Sequence, residues 1–562
     1  MNNHAFMPPI SMTLSLLSAM IIVFILGIGR YTPWLIPLWL CSIGLLVIAA
    51  YGQSKARWTP VILTPRSLGI LLLILLPLVV RVLNYQPNRI HGDDLLTASF
   101  SLGFHPRTAN FFAGVPEGLE WVAKFPAPYF LFQKLFLYFF GASVLTVKLS
   151  VLPYVLIVSI MTYLTASMIL GPVSAVAAVI LYAFMAISIY HETLGLHFIS
   201  ATAVFMIFFY SLLRAAKSTR PFWYTVSGVT AALCYLTYTS SYIALPILIA
   251  ALLWHVITKK SRMGAIGIAW ALIGFLITIA PFLTYAVRTE NYFATRINQV
   301  SLLTGSWSKD RLNNTNKAAP SGAITKNLQV SFRALIQDGI GGHGGYTFNR
   351  RAFFNRPGML LFVIGIVISL MLMWRHHAIA LILLIIMLSY ITGVVLTIPP
   401  PAYHRLSLAF PFIAIISAVP FHYLFRLVPR RSMIAALGVI LAIYAGTNIQ
   451  YVQSAVKNEA LIPDAAVIQF INTTYPNRHI HIAAFPYFAL ERLYPFFTPR
   501  TALSIDTRYH IHYLEHFQPD EPYLYIITLP TEFKDTFIKA DTNGTYIPFS
   551  EKYGIFTNEE VQ

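Results

Sequence analysis

Two adjacent carboxylates, Asp93 and Asp94, follow His91-Gly92 and open a polar segment that runs to Pro128. One apolar run ends near Asn84, and a long series of others begins near Val144. Carboxylates at the edge of a membrane span are costly to hold and mark a functional site by default. One placed there can take a proton from a hydroxyl nucleophile. The same residues also suit a helix start, because acidic side chains ahead of Leu95-Leu96-Thr97-Ala98 cap the N-terminus and complement its dipole. The two roles are compatible.

Two cations are candidate partners for an anionic ligand. Lys124 precedes Phe125-Pro126-Ala127-Pro128, where two prolines stiffen the turn and fix the cation in place. It reads equally as a point charge for a lipid phosphate or as a snorkelling interfacial lysine. Arg405 ends Pro399-Pro400-Pro401-Ala402-Tyr403-His404-Arg405, and a guanidinium there offers bidentate contacts to phosphate. Tyr403, His404 and His91 belong to the same set as candidate cavity residues. Two readings apply to Glu192: a wall of the cavity that holds Asp93, or a solvated carboxylate at a helix end. The string Gly339-Ile340-Gly341-Gly342-His343-Gly344 fits a dinucleotide pattern, but no strand precedes it and no helix follows. A lid loop carrying His343 over the site is the better reading. His191-Glu192 and His197 have the wrong spacing for a zinc helix, and no Asp-x-Asp motif stands at the acidic pair. No metal site and no cofactor are expected.

The elements that must position these residues are membrane spans. Of 562 residues, 57% are hydrophobic and only 11% charged, against about a quarter charged in soluble domains. Runs of roughly 17–25 apolar residues fall at 11–29, 33–51, 68–84, 144–170, 173–190, 195–213, 222–238, 242–257, 264–287, 358–374, 378–398, 406–425 and 433–448. That predicts about thirteen transmembrane helices. The first run is expected to stay as a span rather than be removed as a signal. Cys41 and Cys234 lie inside apolar runs and read as packing residues.

Charge orients the spans. With the N-terminus inside, the cytoplasmic loops collect Lys55, Arg57, Arg66, Arg214, Lys217, Arg220, Lys259, Lys260, Arg262, Arg375, Arg426, Arg430 and Arg431. This satisfies the positive-inside rule, with Arg30 as the exception. The net charge of +18 is thereby spent on topology and headgroups, not on nucleic acid. The expected organisation is a hairpin and cytoplasmic loop over 1–67, a membrane domain over 68–450, and an extracytoplasmic α/β domain over 451–562. Within the membrane domain, 85–143 is the catalytic outer loop and 288–357 an outer lid loop. The run 130–140 is too short to span and suits an interfacial helix. In the last domain, 465–473 reads as helix, and 479–485 and 523–529 as buried strands.

An acidic pair in the first outer loop, a Lys-x-Pro-x-Pro turn at Lys124, and Phe139-Phe140-Gly141 leading to Lys148 come in that order. The arrangement resembles the membrane glycosyltransferases that use polyprenyl-phosphate sugars, a group that includes protein O-mannosyltransferases and the lipid A aminoarabinose transferase. The likeness runs from about Asn88 to Arg405. It implies that Asp93 is the general base, that Asp94 stands where the family has Glu, and that Lys124 and Arg405 contact donor phosphate. The family's Lys-Pro-Pro-Leu is matched only loosely by Lys124-Phe125-Pro126-Ala127. The implied function is an inverting transfer of a mannose-like hexose or related sugar from polyprenyl phosphate. The acceptor would be a protein, lipid or glycan, at the outer face of the cytoplasmic membrane. The competing class is a transporter or flippase for lipid-linked glycans, which would place polar residues on broken helices at mid-membrane with repeat symmetry. No such repeat is evident.

Overall fold

The computed structural model describes residues 7–54, 64–86, 89, 92–104, 110–112, 127–258, 264–288, 293, 295–303, 305, 320–341, 346, 348–427, 430–457, 463–475, 480–484, 496, 505–509, 523–528, 530–551 and 553–558. The chain opens with α1 (Met7–Gly27), α2 (Leu35–Gln53) and α3 (Pro65–Leu83). The acidic pair begins α4 (Gly92–Gly103), followed by α5 (Pro128–Phe140) and α6 (Val144–Leu149). Next come α7 (Leu152–Leu170), α8 (Pro172–Phe184), α9 (Ala186–Glu192), α10 (Phe198–Ala216), α11 (Pro221–Cys234), α12 (Ala244–Thr258) and α13 (Ala265–Ala286). Then follow α14 (Thr295–Val300), α15 (Pro320–Ala334), α16 (Arg356–Leu372), α17 (His377–Tyr390), α18 (Phe410–Leu427) and α19 (Arg430–Val456). The chain ends in α20 (Pro463–Thr474), β1 (Ile480–Ala484), β2 (Ile505–Tyr509), β3 (Leu524–Thr528), α21 (Pro530–Ala540), β4 (Thr545–Pro548) and β5 (Tyr553–Thr557).

Proline sets many of the helix starts. It occupies the first positions of α3, α5, α7, α8 and α11, where its missing N–H is not needed and its φ suits the helix. At α3 the start is reinforced by a capping box between Thr64 and Ser67.

The protein is a multi-span helical membrane protein with a small terminal sheet. Each of the thirteen apolar runs read from the sequence falls largely on helix. Among the described residues 8 helices are long and apolar enough to cross a membrane, or 9 if α8 and α9 count as one bent span. The runs at 68–84, 242–257 and 358–374 form shorter apolar helices. The helix α5 has 13 residues, with Tyr138, Phe139 and Phe140 exposed at its end, as an interfacial helix should.

The spans α10 and α18 are the innermost. They share one apolar core with α7, α8 and parts of α16, α17 and α19. A second core joins α1 and α2 to the loop after α4 through Leu26, Trp39, Phe111, Phe112 and Phe282. Helix approach is close where glycine allows it: a Cβ on Gly228 of α11 would sit 1.9 Å from the Ala271 carbonyl of α13. The terminal sheet has the order β2-β1-β3-β5-β4, with β1 parallel to β2 and β3 and the remaining pairs antiparallel.

One buried ion pair sits at the break between α8 and α9, whose axes differ by 58°. At the bend the last carbonyls of α8 lose their i+4 partners, and the Met185 N–H reaches the Tyr182 carbonyl only at 3.4 Å. Arg81, from α3, fills that gap. Its Nη2 donates to the Tyr182 carbonyl at 3.2 Å and to Ser188 Oγ at 2.6 Å, and its Nη1 donates to the Ala183 carbonyl. The same guanidinium meets Glu192 Oε2 from Nε at 3.0 Å and Nη2 at 2.8 Å, and the Tyr182 hydroxyl donates to the carboxylate at 2.9 Å. Removing one member of a fully buried pair strands the other, at a cost of about 3–5 kcal/mol. Arg81→Met or Glu192→Leu should therefore lower the thermal midpoint of the detergent-purified protein sharply. The double variant should recover part of the loss, but not all of it, because the α8 carbonyls stay uncapped. A wild-type midpoint in Arg81→Met would show that the bend does not depend on this pair.

Candidate active site

The acidic pair is held by its neighbours in sequence and by partners far from it. Asp93 and Asp94 occupy the first turn of α4, where the helix dipole favours negative charge. Asp94 is buried, and its Oδ1 accepts the Leu95 N–H at 2.7 Å. Asp93 is half-buried. Its Oδ2 accepts the Tyr346 hydroxyl at 2.6 Å, and its carbonyl accepts Thr97 Oγ1 at 2.6 Å.

The rest of α4 is fixed at both ends. At the C-terminal end Lys134 of α5 donates to the carbonyls of Leu102 at 3.0 Å and Phe104 at 2.5 Å, a cation where the dipole is negative. Burial pushes the Lys134 ammonium below the usual lysine range. Ser101 donates to Gln133 at 2.6 Å, and Gln133 donates to the Gly195 carbonyl at 3.3 Å. Gly195 must be glycine, since a Cβ there would lie 2.3 Å from the Val147 side chain. Ahead of α4, Lys148 Nζ holds the carbonyls of Gln86, at 3.1 Å, and Arg89. Arg89 in turn donates to the Tyr190 carbonyl at 2.6 Å and Thr193 Oγ1 at 2.9 Å, with its guanidinium 3.4 Å from the Tyr190 ring centroid.

An aromatic and histidine cage leads away from Asp93. The Tyr346 ring lies 4.1 Å from His404, 5.7 Å from Phe198 and 6.4 Å from His191. Phe198 packs on Tyr238 and on His197, which touches Tyr129. Burial first, and then the Asp93 carboxylate, push the Tyr346 hydroxyl well above the usual phenol range. It is thus a fixed donor to Asp93 at neutral pH. Shortly after it, Phe348, Asn349 and Arg350 all have positive φ, at 51°, 48° and 59°, a strained turn for side chains of this kind. Packing of Phe348 on Tyr190 and Tyr451 holds that turn in place.

Beyond the cage lies an apolar cavity of about 320 Å³, walled by Tyr238, Ile243, Pro246, Val300 and Leu396, with Arg405 at its edge. Arg405 is buried, and its two Nη atoms reach the Ile398 carbonyl only at 3.4 and 3.5 Å, long for hydrogen bonds. Tyr238 forms a wall of both the cage and the cavity.

The structure thus brings Asp93, Asp94 and His404 together and places Arg405 one residue further on. Two expected residues go elsewhere. Glu192 is committed to Arg81 and Tyr182. The Tyr403 hydroxyl donates to the Ala334 carbonyl at 2.6 Å, and its ring packs on Phe353. His91, Lys124 and His343 lie outside the described residues. Reading the sequence overlooked Tyr346, Tyr238 and Arg89, and considered His197 only as a zinc ligand. Only Arg89 carried a local signal, a cation four residues before Asp93. Among the described residues no three His, Cys, Asp or Glu side chains converge as metal ligands.

No protein-family model and no curated protein sequence matches the chain. Among solved structures, that of ArnT from Cupriavidus metallidurans bound to undecaprenyl phosphate superposes with a TM-score of 0.57 at 10% identity, covering 88% of this chain and 98% of that one. The apo state of the same protein gives 0.54 at 11% identity, covering 88% and 99%. The arabinosyltransferase EmbB from Mycobacterium smegmatis, at 0.36 and 15% identity over 76% and 45%, is too distant in shape to support an argument. The chain therefore has the fold of ArnT over nearly the full length of that protein.

Proposed function

We propose that the protein moves a sugar from a polyprenyl-phosphate donor to a nucleophilic acceptor at the outer face of the cytoplasmic membrane, with inversion at the anomeric carbon. The observation that carries this reading is the half-buried Asp93 carboxylate, held by Tyr346 at one end of an aromatic cage whose other end opens on an apolar cavity edged by Arg405. The motif order from Asp93 to Arg405 and the shared fold with a protein that holds undecaprenyl phosphate support it.

In this mechanism the acceptor's O–H or N–H faces Asp93, which takes the proton as the new bond to the anomeric carbon forms. The bond from that carbon to the phosphate oxygen breaks, and polyprenyl phosphate leaves with the electron pair. Arg405, with Lys124, balances the charge that develops on the leaving phosphate. Tyr346 donates to the Asp93 oxygen that is not taking the proton and so fixes which lone pair meets the acceptor. Asp94, buried and bonded to the helix backbone, holds the start of α4 rather than meeting substrate. The lipid brings both the activated sugar and the leaving group, so no nucleotide is required. A mannose-like hexose or a related sugar is the expected cargo, and a protein, lipid or glycan the acceptor.

Purified protein in lipid, given a polyprenyl-phosphate sugar and candidate acceptors, should release polyprenyl phosphate. Asp93→Asn should slow that release by about 10²–10⁴-fold, and wild-type turnover would move the base elsewhere. Tyr346→Phe removes one hydrogen bond to a charged acceptor, about 1.5–3 kcal/mol. It should lower kcat by roughly tenfold or more while leaving the donor KM near wild type. Arg405→Ala should act the other way and raise the donor KM, because it removes a phosphate partner present before and during reaction. An unchanged KM in Arg405→Ala would remove Arg405 from the donor site.

A further inference from the structure

The helix α15 presents two stripes of different character. Asn327, Ser331 and Ala334 are buried against the bundle. Leu328 and Phe332, spaced i and i+4, are 46% and 58% exposed, and Ile336, in the turn that follows the helix, is 55% exposed. Lys326 and Arg333 are exposed as well, and the helix contains no Asp or Glu. Large apolar side chains left open beside lysine and arginine are a poor water-facing surface. They are the pattern of a helix lying in a lipid headgroup region.

The depth of α15 is set by the chain, not only by its composition. Asn327 Nδ2 donates to the carbonyls of Val395 at 3.0 Å and Thr397 at 3.1 Å. Val395 is the last residue of the span His377–Val395, so α15 is pinned at the end of a membrane helix. The neighbouring segment is tied to the same edge. Leu302 N donates to the Leu396 carbonyl at 2.8 Å, and Ile398 N to the Val300 carbonyl at 3.0 Å. It exposes Ile297 and Leu303, which also line the apolar cavity edged by Arg405.

We infer that the exposed stripe of α15 is seated in the headgroup–acyl boundary of the bilayer, with Lys326 and Arg333 on lipid phosphates, beside the mouth of the apolar cavity. The surface that binds is Leu328, Phe332 and Ile336, and the partner is an anionic lipid leaflet. The consequence is that the cavity opens toward lipid rather than water, so a ligand with a long apolar chain enters it sideways from the leaflet. The inference depends on no reading of the catalytic reaction.

The test is site-directed spin labelling of the full chain in nanodiscs of phosphatidylethanolamine and phosphatidylglycerol. Cys41 is changed to serine, Cys234 is buried, and single cysteines are placed at 328, 332 and 336, with exposed Thr542 after α21 as an aqueous control. Collision with dissolved oxygen should exceed collision with an aqueous nickel chelate at the first three positions, and the order should reverse at Thr542. In phosphatidylcholine alone, the three apolar positions should move toward the aqueous reagent as the phosphate attraction weakens. Nickel-dominated collisions at 328, 332 and 336 in the anionic nanodiscs would overturn the inference. So would low accessibility to both reagents, which would mean that protein covers the stripe.

Discussion

The Arg81–Glu192 pair is the constraint on which the site's geometry rests. An arginine and a glutamate buried together cost several kcal/mol of desolvation each, and that cost is offset only by full hydrogen bonding. Here the guanidinium is saturated by one carboxylate oxygen, two freed carbonyls of α8 and a serine hydroxyl. The bend this secures turns α9 out of line with α8. Three consecutive residues of α9 then point in different directions. Tyr190 receives Arg89 on its ring face, His191 packs on Tyr346, and Glu192 returns to Arg81. The segment leading to α4, the donor to Asp93 and the neighbouring span thus share one short helix. A carboxylate expected in the cavity wall acts one layer beneath it.

A second constraint reaches the acidic pair from the end of the chain. Leu95 and Ala98 of α4 are fully buried in a cluster with Leu137 and Val147, with Ile468 and Ile471 of α20, and with Ile526 and Ile555 of the sheet. Burial of one such leucine contributes roughly 1.5–3 kcal/mol. The face of α4 turned away from Asp93 is therefore built partly from the terminal domain. Loosening the sheet would expose the helix that presents Asp93, so the domain cannot act as a separate appendage. Its aromatic second face, with Tyr523, Tyr525, Phe537 and Phe556, is closed by α21 and takes no part in that contact.

What the sequence revealed and what it concealed follow from the range of each interaction. Apolar runs, proline starts and the acidic pair at a helix N-terminus are local patterns, and they located the helices, α5 included, and the strands β1 and β3. An apolar run does not say how long an unbroken helix it forms, so the runs and the helices of full spanning length do not match one to one. The run 173–190 hides the break after Phe184, and α11 stops at Cys234 after 14 residues. Tyr346 meets Asp93 across 253 residues of sequence, and nothing near either residue announces the other. The turn Tyr403–Ala409 shows a different limit. It is a 3-10 helix, in which consecutive side chains diverge by about a third of a turn. Tyr403 faces α15, His404 the cage and Arg405 the cavity. In sequence Arg405 stood out as a cation, but nothing distinguished Tyr403 from His404, and only the backbone period separates them.

That divergence gives the proposed chemistry its direction. An inverting displacement needs the attacking group and the leaving group on opposite faces of the anomeric carbon, with the base on the attacking side. Asp93 and Arg405 are joined through Tyr346, His404 and Tyr238, side chains that present ring faces rather than charges along most of the path. The apolar cavity lies on the Arg405 side of Tyr238 and so suits the lipid of the leaving group. On the proposed mechanism the acceptor would then arrive from the Asp93 side, where the carboxylate is only half-buried. Choice of acceptor would rest with the surfaces around the start of α4 and choice of donor with the cage and cavity, which different elements build.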